Sequence, residues 1–123
     1  MNGYLLDTNS VIYFFDGEEK ISAFIKSNKS PLYISFITQI EILCFETQDE
    51  ALMNNIVKFT ESIDIITTNE DIITAAIEYR KKLKLKIPDA IIAATAKVNE
   101  LTLITADKAM LTKINNIKMI TPL

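Results

Sequence analysis

The sequence contains no histidine and only one cysteine, Cys44. A single cysteine cannot form an internal disulfide, and one thiol without histidine excludes the ligand sets of structural zinc sites. This cysteine usage is typical of proteins in a reducing compartment, so we expect a cytoplasmic protein.

Long apolar runs and flexible linkers are also missing. The longest apolar stretches, VIYFF (residues 11–15) and AIIAATA (90–96), are far shorter than the roughly 20 residues that span a membrane. No basic segment precedes the first apolar run, as it would in a secretory signal peptide. With two glycines, three prolines and no low-complexity segment, residues 1–123 are predicted to form a single domain without membrane association.

The residues that are present have the balance of a globular protein. Hydrophobic residues make up 49% of the chain and charged residues 24%, and 123 residues are enough to bury a core. The net charge of −3 argues against a dedicated nucleic-acid coat protein, which would be basic. It is compatible with an enzyme whose site carries several acids.

Short apolar runs alternate with amphipathic segments along the chain. This alternation predicts an α/β fold in which crossover helices cover both faces of a parallel sheet. In open sheets of this kind, the ligand site lies beyond the carboxyl ends of the strands. Strands are predicted at residues 3–6, 32–35, 63–67 and 101–105, a short helix or turn at 10–17, and helices at 18–28, 36–46, 49–62, 69–84 and 89–100.

Two acids follow predicted strands. Asp7 ends the apolar run GYLL, and Asp107 comes shortly after the strand LTLIT. Both should therefore emerge at the carboxyl edge of the sheet. A lone acid after a strand is usually a turn residue or a helix cap, and that alternative stays open for each of them taken singly.

Two further acids lie on predicted helices. In FITQIEILCFE, helical spacing places Glu41 between Ile37 and Phe45 with Cys44 beside them, so we expect an acid within a buried apolar stripe. The alternative is a rim position whose carboxylate reaches solvent. Asp89 opens a helix after Pro88, where an acid favours the helix dipole and needs no further role when taken alone.

Together, the four acids favour a cation site. Carboxylates that converge on one crevice repel each other and raise each other's pKa unless a cation lies among them. Without histidine or a second cysteine the ligands are all oxygen, which favours Mg²⁺ or Mn²⁺. Such an ion activates water and stabilises charge on a phosphodiester, so the chemistry points to phosphoryl transfer or phosphodiester hydrolysis.

Four segments in this order resemble the PIN-domain family, and most closely its small VapC-type toxins. They are LLDTN, SFITQIEI, IPDAIIAATA and LITADKAML, and the resemblance covers essentially the whole chain. It implies a PIN-like three-layer α/β/α sandwich with a central, mainly parallel sheet. It also implies an endoribonuclease that hydrolyses RNA phosphodiester bonds with Mg²⁺ or Mn²⁺.

The resemblance also assigns roles to residues and implies partners. Asp7 and Asp89 match the principal metal-contacting acids, and Glu41 and Asp107 match acids that bind through water or complete a second metal position. Three polar residues match positions that orient these acids, although helix capping explains them equally well: Thr8, Asn9 and Thr105. The family commonly forms homodimers and is silenced by an antitoxin that inserts a segment, often bearing an arginine, into the acidic groove.

The only basic cluster, YRKKLKLK at residues 79–86, leads directly to Asp89. Arg80, Lys82 or Lys86 could steer an RNA backbone towards the acids. The alternative is the solvated last turn of a helix, where cations complement the dipole.

An aspartate after the first strand also occurs in two other families. A haloacid-dehalogenase phosphatase needs a second aspartate where Asn9 stands, and a receiver domain needs an aspartate at the end of the third strand, whereas Asp64 lies within it. Both fail on these details. A PIN-like module that binds RNA or protein without cutting stays open, and a cleavage assay separates it from a nuclease.

Overall fold

Within residues 2–123, five strands form one parallel sheet with the first strand at its centre. The computed structural model describes residues 2–123, so Met1, the first residue of the predicted domain, lies outside the described residues. The order across the sheet is β3-β2-β1-β4-β5, and every neighbouring pair is parallel. In chain order the strands are β1 (Tyr4–Leu6), β2 (Leu32–Ser35), β3 (Asp64–Ile66), β4 (Thr102–Ile104) and β5 (Met119–Ile120).

Helices connect successive strands and cover both faces of the sheet. Within residues 2–123 they are α1 (Thr8–Phe15), α2 (Glu19–Ser27), α3 (Phe36–Leu43), α4 (Glu50–Ser62), α5 (Glu70–Leu83), α6 (Ile87–Val98) and α7 (Lys108–Lys113). The parallel sheet and its helical layers confirm the predicted PIN-like α/β/α architecture.

The two residues at the centre of the sheet show how the core is divided. Leu5 and Leu6 are both fully buried, and as neighbours in a strand they face opposite sides of the sheet. Leu5 packs with α5 and the alanine-rich α6, whose alanines let the helix approach the sheet closely. Leu6 packs with residues of α1, α2 and α4, including Val11, Ile21 and Ile56.

The direction of the crossovers changes at β1. Leu5 is paired with Tyr33 of β2 on one side and with Leu103 of β4 on the other. In open parallel sheets a crevice forms at such a switch point, outside the carboxyl ends of the two strands. Asp7 and Asp107 follow β1 and β4, so the topology brings both acids to this crevice.

Several boundaries differ from the predicted ones. The first helix starts at Thr8 rather than Ser10, because Asp7 caps it. The third ends at Leu43, three residues before the predicted end, and α6 starts at Ile87 with a proline in its first turn. Asn69 caps α5, since its side-chain oxygen accepts from the amide of Ile72 at 2.9 Å. No helix in the described part of the chain is long and apolar enough to cross a membrane.

Candidate active site

The four acids meet at the carboxyl edge of the sheet. They border a small pocket of about 100 Å³ whose other lining residues are Thr8, Asn9 and Ile92. Asp7 and Asp107 come from the ends of strands, and Glu41 and Asp89 come from helices α3 and α6. The structure therefore brings all four predicted acids to one place.

Asp7 is almost completely buried, with 4% of its surface exposed. Its Oδ1 accepts from the amide of Ser10 at 2.8 Å, which makes it the N-cap of α1. Its own amide donates to the carbonyl of Ile104 at 3.1 Å, which ties the residue to the end of β4. Burial raises the pKa of Asp7, hydrogen bonds from Ser10 and Thr105 oppose that shift, and the charge of Asp107 adds to it.

Asp107 has the corresponding position after β4. Its Oδ1 accepts from the amide of Met110 at 3.0 Å and caps α7. The fully buried Thr105 contacts both strand-end acids, because its hydroxyl accepts from the Asp107 amide at 3.0 Å and hydrogen-bonds the Asp7 carboxylate. Thr105 therefore fixes the two acids relative to each other.

Asp89 lies in the first turn of α6 and is partly buried. Burial raises its pKa most, and the negative charges of Asp107, Asp7 and Glu41 raise it further, while Lys86 lowers it. This pattern is the one expected of a carboxylate that feels three other carboxylates across a small pocket.

Glu41 lies at the rim of the pocket with its side chain exposed. The prediction that it sits within a buried apolar stripe is wrong, because α3 ends at Leu43 and Phe45, which is 45% exposed, lies beyond the helix. The rim alternative is the arrangement observed. Thr8 donates to Glu41 Oε1 at 2.6 Å, so a neighbouring hydroxyl holds the exposed carboxylate at the pocket.

The model of the PIN domain matches residues 4–115 of this chain. The chain belongs to the PIN-domain family. No curated protein sequence gives a significant match.

Solved structures resemble this PIN domain over nearly their whole length. A toxin–antitoxin complex from Klebsiella pneumoniae contains a chain that is 29% identical, with a TM-score of 0.83 and 98% of each chain covered. A DNA-bound VapBC from Salmonella typhimurium is 20% identical, with a TM-score of 0.87 and both chains fully covered. VapBC-1 from nontypeable Haemophilus influenzae is 24% identical, with a TM-score of 0.82 and 98% of each chain covered.

The basic residues of the PIN domain do not act as one cluster. Lys86 is close enough to lower the pKa of Asp89. Arg80 donates from Nη1 to the carbonyl of Leu85 at 2.8 Å, which braces the turn between α5 and α6. The Nζ of Lys82 lies 3.8 Å from the Oε1 of Glu78 on the same helix. Neither Arg80 nor Lys82 lines the acid pocket.

Two polar residues at the site escaped the sequence reasoning. The amide of Ser10 donates to the capping carboxylate of Asp7, and its hydroxyl donates to the carbonyl of Ile104 at 3.1 Å. Thr38 is fully buried, and its hydroxyl oxygen lies 3.0 Å from that of Thr8. The available signal was a polar residue three positions from two of the acids, since Ser10 follows Asp7 by three residues and Thr38 precedes Glu41 by three.

The carboxylate oxygens of the pocket are suitable ligands for a hard divalent cation. Four carboxylates of like charge crowd a space of about 100 Å³, and their mutual repulsion is what a cation would relieve. Across residues 2–123, however, no three acidic or thiol side chains are already arranged to hold an ion by themselves. Mg²⁺ is commonly bound through only one or two carboxylates with water completing its shell, so the residues present are compatible with it.

Proposed function

We propose that this chain is a Mg²⁺- or Mn²⁺-dependent endoribonuclease, the toxin of a VapBC-type toxin–antitoxin pair that acts in the cytoplasm. The observation that carries the proposal is the meeting of four carboxylates at the sheet's switch point, where three of them raise the pKa of the fourth. Membership of the PIN-domain family and the likeness to toxin–antitoxin structures support it.

In this proposal Asp7 and Asp89 contact the ion, and Glu41 and Asp107 act through water or at a second position. The bound ion would activate water and neutralise the charge that develops on the phosphodiester. Thr105 holds Asp7 and Asp107 in a fixed relation, and Thr8 holds Glu41. Asn9 is exposed at the mouth of the pocket, where it could contact the substrate.

RNA would approach past Lys86, the basic residue whose charge reaches the pocket. A lysine at this place attracts a phosphate backbone that the four acids would otherwise repel. Arg80 and Lys82 are assigned weaker roles, because Arg80 is bonded to the backbone and Lys82 is beside Glu78.

The surface beside Glu41 supports an antitoxin as partner. A small apolar groove of about 40 Å³ opens there between α1, α3 and α4, lined by Ile12, Phe15, Asp16, Glu41, Ile42, Phe45, Leu52 and Ile56. A partner that places an apolar side chain in this groove would lie beside Glu41, and an arginine of the same partner could then replace the cation's charge.

A second apolar groove, of about 480 Å³, supports the expected homodimer. It lies between α5 and α6, where Ile73 is 49%, Ile77 51% and Ile87 62% exposed. Ile77→Lys should produce monomers in light scattering after size-exclusion chromatography. The equally exposed Ile40, which lines neither groove, provides the control Ile40→Lys.

The central experiment incubates the purified protein with structured cellular RNA in Mg²⁺ or Mn²⁺. Cleavage should stop in EDTA and fall at least about 100-fold in Asp89→Asn. Asp64→Asn is the matched control, because Asp64 is an exposed aspartate at the start of β3, the opposite end of the sheet. Cleavage that persists in EDTA or in Asp89→Asn would overturn the proposed site.

The competing function is a PIN-like module that binds RNA or protein without cutting. RNA binding without any cleavage, under every metal condition, would favour it. Growth arrest on expression, relieved by a co-expressed neighbouring gene product, would instead support the toxin.

A further inference from the structure

Thr38 lies beneath the rim of the acid pocket but is not among its lining residues. It belongs to α3, one turn before Glu41, and its side chain is 0% exposed. Its Oγ1 lies 3.0 Å from the Oγ1 of Thr8, and Thr8 Oγ1 lies 2.6 Å from Glu41 Oε1. The three side chains form a continuous line from the core to the pocket.

The chemistry of these groups fixes the direction of their hydrogen bonds. A threonine hydroxyl has one proton to donate, and an ionised carboxylate only accepts. The proton of Thr8 is used in its bond to Glu41. The bond between the two hydroxyls must therefore use the proton of Thr38, so the order of donation is Thr38 to Thr8 to Glu41.

Through this order of donation, the buried hydroxyl of Thr38 influences the position of the exposed Glu41 carboxylate. Glu41 is solvent-accessible and has three rotatable side-chain bonds, so its position depends on the contact that Thr8 makes. A donor–acceptor distance of 2.6 Å is typical of a charge-assisted O–H···O⁻ bond, which is stronger than a neutral one. Thr38 leaves the Thr8 hydroxyl a single favourable orientation, with its proton towards Glu41.

The line of bonds also joins two elements that carry different acids. Thr8 is the first residue of α1 and directly follows Asp7, whereas Thr38 and Glu41 both lie on α3. The two hydroxyls thus connect the element that carries Asp7 to the one that carries Glu41.

We propose that Thr38 is a positioning residue, which holds the Glu41 carboxylate over the acid pocket by donating a hydrogen bond to Thr8. The inference rests on the proposed function, in which Glu41 helps to hold the ion. Thr38 itself touches neither substrate nor metal.

The test uses variants that separate the hydroxyl from the shape of the side chain. Thr38→Val keeps the shape and loses the donor, whereas Thr38→Ser keeps the donor. Thr95→Val is the matched control, because Thr95 is also 0% exposed but donates within its own helix, to the carbonyl of Ile91 at 2.7 Å.

Mn²⁺ affinity, measured by isothermal titration calorimetry without RNA, is the main readout. Thr38→Val should weaken binding about tenfold, in the range found for residues that support metal ligands. Thr38→Ser and Thr95→Val should bind as the unmodified protein does. If Thr38→Val does not fold, Thr38→Cys keeps a side chain of similar size with a much weaker donor and should weaken Mn²⁺ binding in the same direction.

A double variant tests the route through Glu41. If Thr38 acts through this carboxylate, Thr38→Val adds nothing to Glu41→Gln. Fully additive losses in the double variant would overturn this inference alone. So would a Thr38→Val variant that binds Mn²⁺ as tightly as Thr95→Val does, while Glu41→Gln and Asp89→Asn bind it weakly. Unchanged Mn²⁺ binding in Asp89→Asn would instead reject the proposed metal site.

Discussion

The four acids form two pairs that differ in how the fold uses them. Asp7 directly follows β1 and Asp107 lies three residues after β4, and each accepts from a backbone amide in the first turn of the helix that follows. Glu41 and Asp89 lie on helices and cap neither of them. Asp7 and Asp107 therefore cap helices as well as supplying charge to the pocket, whereas Glu41 and Asp89 supply charge without capping a helix.

The sharpest test of this difference is the stability of Asp7 variants in EDTA. Asp7→Ala removes the cap of α1 and leaves Thr105 without its acceptor, so the free energy of unfolding should fall by about 1–2 kcal/mol. Asp7→Asn keeps a cap of similar quality and removes a desolvated charge, so it should be at least as stable as the unmodified protein. Urea unfolding measures both.

Asp89, which lies on a helix, provides the contrast to Asp7. Asp89→Ala loses no cap and relieves repulsion, so it should not destabilise the protein in EDTA. The division into two pairs would be wrong if Asp89→Ala destabilised as much as Asp7→Ala. Asp107→Ala should also lower the free energy of unfolding, but by less than Asp7→Ala does, because the helix that Asp107 caps has only six residues.

A second prediction concerns the pH dependence of Asp89. Its pKa is raised above the ordinary value of 3.8, so the folded state holds this proton more tightly than the unfolded state does. The stability from this group is fully present below 3.8 and is lost as pH rises through the raised pKa. Asp89→Asn should therefore melt higher than the unmodified protein at pH 7 in EDTA, by a margin on the order of a few degrees.

That margin should disappear on acidification below pH 3.8, where the carboxyl is protonated in both states. Millimolar Mg²⁺ should also reverse it, because the ion would stabilise the unmodified protein and not the variant. Scanning calorimetry across pH, with and without Mg²⁺, gives both differences. A margin independent of pH would show that repulsion is not its cause.

The smallest predicted effect belongs to Lys86, the cation whose charge reaches a helix-borne acid. Lys86→Gln should weaken RNA binding by a few-fold and lower the slope of log affinity against log salt by about 0.7, the value for one charge on a single strand. Lys82→Gln should change neither quantity, because Lys82 is beside Glu78 and outside the pocket. Filter binding at several salt concentrations distinguishes the two.

The fold and the meeting of the acids could be predicted from the sequence, because a local pattern and a general rule of topology were sufficient. Apolar runs that stop on acids, combined with a parallel sheet, place Asp7 and Asp107 at one edge without any coordinates. It failed for the surroundings of Glu41, because helical spacing alone cannot show that α3 ends at Leu43. It also missed Thr38, whose partner Thr8 is 30 residues away along the chain.

The use of Asp7 and Asp107 as helix caps has an evolutionary consequence. Asparagine caps a helix as well as aspartate does, and one nucleotide change converts an aspartate codon into an asparagine codon. If the proposed nuclease function holds, replacing Asp7 or Asp107 in one such step should remove the activity and keep a folded chain.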